Sequence, residues 1–135
     1  MIVLDCSAGL EIAQNTPTGQ GFRGLFDTDE EVVAPDLYRV EAANAAWKYA
    51  HAGVLGQDAA RELLEDSLAL PDRFVSQGDM MAEAFALAVK TDHSVYDMVY
   101  LVVARRNAAT VVTCDRKLEE VCLSEGVDCI VHADF

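Results

Sequence analysis

A chain of 135 residues, just over half of them apolar, is long enough for one domain around one core, and no apolar run in it approaches a membrane span. Its net charge of −13, from 23 acids against 10 basic residues, excludes the broad basic surface that draws nucleic acid from a distance. That charge suits a partner with a basic tail.

The first element is the apolar run Met1-Ile2-Val3-Leu4, which ends at Asp5. An unbroken apolar run of this length predicts a strand buried on both faces, as in a parallel sheet. Ser7 is a suitable N-cap for a following helix. Asp5 therefore falls between a strand end and a helix start, the edge of an open α/β sheet where ligands bind. No basic region followed by an apolar segment precedes it, which predicts an intracellular, cytoplasmic protein. The four cysteines, Cys6, Cys114, Cys122 and Cys129, form no CxxC pair and read as small buried hydrophobes. Cys6 and Cys114 approach one another if their strands are neighbours.

Asn15 to Gly21 reads as a loop, with a short helical turn over Phe22 to Phe26. Val32-Val33-Ala34 is a second apolar run, and Pro35-Asp36 signals a helix start. That helix runs from Asp36 to His51, with Leu37, Val40, Asn44, Trp47 and Ala50 near helical spacing. Gln57 to Leu70 predicts a further helix with Ala60, Leu63, Leu64 and Leu68 inward, and Pro71 stops it. Arg73 to Ser76 reads as a short edge strand. A helix opening at Gly78-Asp79 carries Met80, Ala84, Phe85, Leu87 and Ala88. Among these, Met80, Met81 and Phe85 are candidates for an exposed dimer contact.

Ser94 to Asn107 is apolar nearly all round, which predicts a helix buried on most sides. Ala109 to Thr113 is the second clear buried strand, Asp115 to Glu125 the last helix, and Val127 to Val131 the last strand. Strands alternating with helices predict an α/β fold, a parallel sheet covered on both faces.

Four acids stand out, and each has an ordinary structural job available. Asp5 and Asp115 can cap the helices they precede. Asp97 fits a capping box with Ser94. Glu41, beside the apolar stripe, can pair with Arg39 or Lys48. Together they look different, because strand ends and following helix starts share one rim of a parallel sheet. Two like charges ~5 Å apart repel by roughly 3 kcal/mol at an effective dielectric near 20. Such a rim either keeps an acid protonated or takes a divalent cation, and carboxylates favour Mg²⁺ or Mn²⁺. Arg39, Arg116 and Lys117 lie close to the acids in sequence, with Arg23 in the loop region, and are candidates to hold anionic groups such as phosphates.

Four segments carry a family resemblance. They are Val3-Leu4-Asp5-Cys6-Ser7-Ala8, Pro35 through Asn44, His93-Ser94-Val95-Tyr96-Asp97-Met98-Val99-Tyr100-Leu101, and Val112-Thr113-Cys114-Asp115-Arg116-Lys117-Leu118. In this order and spacing they resemble the PIN-domain ribonucleases, and most nearly the small VapC-type toxins of toxin–antitoxin pairs. The resemblance covers nearly the whole chain and implies a single domain over residues 1–135. It implies a three-layer α/β/α sandwich with a parallel, roughly five-stranded sheet. By resemblance Asp5, Glu41, Asp97 and Asp115 form an acidic quartet that holds Mg²⁺ or Mn²⁺ and hydrolyses RNA phosphodiester bonds. Ser7 and Thr113 match positions that support the acids there, and Asn44, in the segment of Glu41, is placed with them. The implied partners are RNA, an antitoxin with a basic segment, and a second copy in a homodimer. Met98 departs from the family, standing where a small residue is more usual.

One other reading stays open and two are disfavoured. In the first, the acidic rim is a non-catalytic module that receives a basic partner. A two-component receiver pairs acids near its first strand end and has a lysine after its last strand, and this chain has neither. A haloacid-dehalogenase-like phosphatase wants a second Asp where Ser7 stands.

Overall fold

The computed structural model of the chain describes residues 1–26 and 28–131. The organising strand is β1 (Ile2–Leu4), buried along its whole length. It pairs in parallel with β2 (Val32–Pro35) on one side and β4 (Thr110–Thr113) on the other. With edge strands β3 (Arg73–Val75) and β5 (Cys129–Val131), the all-parallel sheet has the order β3-β2-β1-β4-β5. The chain builds outward from β1 to β3, then crosses back to β4 and β5. The strand order thus reverses at β1, and a crevice opens there at the carboxyl ends of β1 and β4.

Among the described residues, right-handed crossovers place four α-helices on one face and three on the other. On the first lie α1 (Cys6–Ala13), α2 (Pro17–Phe26), α3 (Leu37–His51) and α4 (Gln57–Leu68), with α1 packed on α2, α3 and α4. The second carries α5 (Met81–Thr91), α6 (Val95–Asn107) and α7 (Arg116–Ser124). This is the α/β/α sandwich the sequence predicts. Among the described residues no helix is long and apolar enough to cross a membrane.

Helix α6 is the second organising element. Met98 through Ala104 are all buried, and the helix lies against β1, β2 and β4. Met98 causes no crowding that leaves it stranded, since its sulfur accepts a 3.8 Å bond from the Thr91 hydroxyl.

Three sequence expectations need correction. The glycine-rich stretch read as a loop is largely helix α2. Pro17 opens it, and the Thr16 hydroxyl accepts from the Gly19 amide at 3.0 Å while bonding back to Glu11. Gly19 serves close packing and not flexibility: a methyl there would lie 2.0 Å from the Glu11 carbonyl oxygen. Gly19→Ala should therefore lower the urea midpoint by the equivalent of about 1–3 kcal/mol, the usual cost of overpacking. Gly24→Ala, with nothing within 4 Å of the added methyl, should raise it by roughly 0.5–1 kcal/mol. Equal midpoints would mean that α2 does not dock as described.

The second correction concerns α3. Its buried face is Tyr38, Ala42 and Ala46, while Val40 and Trp47 are 67% and 58% exposed. Small alanines bring α3 close to its neighbours, and the larger apolar residues are left outside. The third concerns the expected dimer contact: Met80, in the 3-10 turn Gly78–Met80 before α5, is 5% exposed and belongs to the core, whereas Met81, Phe85 and Val89 of α5 face outward.

Candidate metal centre at the sheet switch point

Asp5 ends β1 and occupies the N-cap position of α1, yet its carboxylate makes no capping bond. It turns inward instead and is only 7% exposed. The Ser7 and Thr113 hydroxyls each donate to its Oδ2 at 2.6 Å. Ser7 is therefore not a cap, as the sequence suggested. It sits in the first turn of α1 and also accepts from the Cys114 amide at 3.0 Å. Thr113 accepts from the Asp115 amide at 3.0 Å. These two hydroxyls stitch the ends of β1 and β4 together around one carboxylate.

Burial pushes the Asp5 carboxyl above the usual carboxylate range, and the charge of Asp97 adds to it against the pull of the two hydroxyls. Glu41 is pushed up to about 7, first by burial and then by the charges of Asp5 and Asp97. Its Oε1 accepts from the Tyr100 hydroxyl at 2.7 Å, a bond that joins α3 to α6. Neither Arg39 nor Lys48 pairs with it. Asp97, in the first turn of α6, is raised by burial and by the charge of Asp115, with Ser94 and His93 opposing. Its amide donates to Ser94 Oγ at 3.3 Å, which forms the serine half of the expected capping box. Asp115 caps α7, accepting from the Lys117 amide at 2.9 Å.

The four acids thus feel one another across the crevice, and among the described residues none has an ion-pair partner. Among those residues no three acidic, histidine or cysteine side chains are drawn tightly enough to form a ready-made ion cage. Unbalanced, partly buried carboxylates fit a hard divalent cation. Their spread fits an ion such as Mg²⁺ that keeps several of its own waters. The thiols do not compete: all four cysteines are free, and Cys6 is raised well above its ordinary range by burial and by the charges of Glu41 and Asp5. Strands β1 and β4 are neighbours, but no bond joins Cys6 to Cys114.

The remaining sequence candidates fare unequally. Asn44 lies one turn beyond Glu41 and is exposed, bonded to none of the acids. Arg39 points away from them, because two residues along a helix turn the side chain roughly 200°. It pairs with Asp36 at 3.5 Å and lies 4.0 Å over the Phe74 ring, which removes it from the acids. Arg23 donates to the Ile12 carbonyl at the end of α1. Arg116 and Lys117 are exposed at the start of α7, Arg116 paired with Glu119 at 2.9 Å.

Sequence reasoning gave Tyr100 no role, although the residue stands in a segment that carries the family resemblance. A tyrosine three residues after Asp97 shares that residue's helix face. It also missed two clefts that flank Glu41. The larger, of about 430 Å³, is lined by Leu37, Val40, Glu41, Asn44 and Tyr96. The smaller, of about 290 Å³, includes Ser7, Leu10, Glu41, Asn44 and Lys48.

This is an open parallel α/β fold with its acids gathered at the switch point. A model of the PIN domain matches residues 2–123, and the chain belongs to the PIN-domain family. It is 34% identical over 121 residues to Ribonuclease VapC3 of Pyrobaculum aerophilum, covering 88% of this chain and 92% of that one. It also superimposes on the crystal structure of PAE2754 from Pyrobaculum aerophilum with a TM-score of 0.72 and 25% identity. That match covers 95% of this chain and 89% of the other.

Proposed function

We propose that this chain is a metal-dependent endoribonuclease and the toxin of a toxin–antitoxin pair. The observation that carries the reading is the four acids that feel one another at the switch point, none of them in an ion pair among the described residues. The likeness to a named ribonuclease over nearly the whole chain supports it.

Asp5 and Asp97 would hold the ion most directly, with Glu41 and Asp115 completing the shell. When bound, Mg²⁺ or Mn²⁺ supplies a water of lowered pKa and neutralises charge on the phosphate. Ser7 and Thr113 hold the Asp5 carboxyl in one orientation. Tyr100 does the same for Glu41, whose carboxyl titrates near neutrality and is suited to take a proton from the attacking water. Lys48, in the smaller cleft, and Arg116 and Lys117, at the start of α7, supply cations for flanking phosphates. Single-stranded or looped RNA suits a site of this kind, because its backbone enters a narrow cleft and its bases are free to be read.

A basic segment of an antitoxin would be drawn to the same acids, since arginine–carboxylate pairs are strong and directional. The outward Met81, Phe85 and Val89 of α5 offer a homodimer contact.

The test is a titration of Mg²⁺ or Mn²⁺ into the purified, partner-free protein with total cellular RNA. Discrete fragments that appear with metal and vanish with EDTA are expected. Intact RNA at saturating metal would overturn the assignment.

A further inference from the structure

The larger cleft beside Glu41 has an unusual lining. Val40 is 67% exposed and Tyr96 64% exposed, and both border the same space as half-buried Leu37. Leaving large apolar side chains in water forgoes the gain of burying them, so a patch of this kind beside a reaction centre marks a binding surface. The Asn44 side chain, on the same wall, makes no hydrogen bond among the described residues, and its amide offers both donors and acceptor.

The position of this cleft is fixed by the acids. Val40 precedes Glu41 on α3, and Tyr96 precedes Asp97 on α6. Glu41 itself lines the cleft, so anything seated between Tyr96 and Val40 lies against one of the four carboxylates. The charge of the lining narrows the occupant further. It holds one acid and no basic residue, so a phosphate is repelled, while a flat uncharged ring is accepted. The other cleft flanking Glu41 carries Lys48 and suits the charged backbone. A strand of RNA has both parts, a ring that stacks and a phosphate that needs a cation.

We infer that the cleft of Leu37, Val40, Glu41, Asn44 and Tyr96 is a nucleobase subsite. It takes an unstacked base next to the scissile phosphate, with Tyr96 as the stacking surface and the Asn44 amide reading the base edge. The inference rests on the ribonuclease reading and names how that site holds its substrate.

The experiment compares wild type with Tyr96→Ala, Tyr96→Phe and Asn44→Ala in metal-supported cleavage, with cut sites mapped from fragment ends. Binding of a labelled single-stranded RNA is measured in parallel with each change placed in the Asp5→Asn background. Tyr96→Ala should raise KM and weaken binding roughly tenfold, the scale of one base–aromatic stack, with kcat little changed. Tyr96→Phe keeps the ring and should restore both. Asn44→Ala should alter which base is preferred beside the cut. Unchanged KM, binding and cut sites in Tyr96→Ala would overturn the subsite while leaving the ribonuclease standing. A fall in kcat alone would overturn it as well. RNA kinetics that stay unchanged while Tyr96→Ala loses its antitoxin would assign the cleft to protein and overturn the inference. Absence of cleavage by wild type is the separate failure of the ribonuclease reading.

Discussion

Asp5→Asn should abolish RNA cleavage and, in the same protein, raise the stability of the metal-free fold. The two effects have one cause. The Asp5 carboxylate is buried and faces the charge of Asp97, so its negative charge is costly unless a cation balances it. Asparagine keeps the shape, and its carbonyl oxygen can still accept from Ser7 and Thr113 as Oδ2 does. What it removes is the charge. For Asp5 the folded carboxyl binds its proton more tightly than the unfolded one. Raising pH above the ordinary carboxylate range therefore lowers folded stability, and at neutral pH the penalty is present. In EDTA near neutrality the variant should show a higher urea midpoint than wild type. With metal, cleavage should fall by at least ~10²–10³-fold, the scale on which one stabilising group in a dry site is felt. Retained cleavage would remove Asp5 from the centre. Lost cleavage with a lower midpoint would mean that the charge supports the fold, and that the variant reports on folding and not on chemistry.

The fold was legible because a parallel sheet writes its strands as unbroken apolar runs, and β1, β2 and β4 do so. Helix α2 was not, because glycine signals both a flexible loop and a close helix contact, and only the proximity of α1 decides between them. The face of α3 was misjudged for a related reason. Periodicity counts large apolar residues, whereas this helix buries tyrosine and alanines and turns Val40 and Trp47 outward. The acids were legible as a set, since chain order alone puts strand ends and helix starts on one rim. Their partners were less so. Ser7 and Thr113 were found through the resemblance, while Tyr100 reaches Glu41 across 59 positions of sequence, a pairing no local pattern encodes. Arg39 shows the opposite error, nearness in sequence to Glu41 with a side chain on the other side of the helix.

Glu41 gives the second large effect, and its sign is set by the same linkage. Its folded carboxyl titrates at about 7 against an ordinary value of 4.5. Between those values the folded protein holds a proton that the unfolded chain has released. Stability is then full below pH 4.5 and falls as pH rises through 7. In EDTA the wild type should lose stability from pH 5 to pH 8, with about 1–2 kcal/mol of the loss due to Glu41, a figure lowered because the side chain is only partly buried. Glu41→Gln, whose amide oxygen still accepts from Tyr100, should flatten that part of the curve. Glu120→Gln on the exposed side of α7 removes an equal charge and controls for the overall acidity of the chain. Saturating Mg²⁺ should reverse the trend in wild type. Ligation needs the deprotonated carboxylates, so the stabilisation gained on binding grows with pH. The measurement is a set of urea unfolding curves across this range, with and without metal. Superimposable curves for Glu41→Gln and Glu120→Gln would mean that Glu41 is an ordinary surface acid, outside the coupled set. A metal-free loss that Glu41→Gln reduces and Glu120→Gln does not, and its reversal by Mg²⁺, would mean that the fold holds these acids together at a cost which a cation relieves.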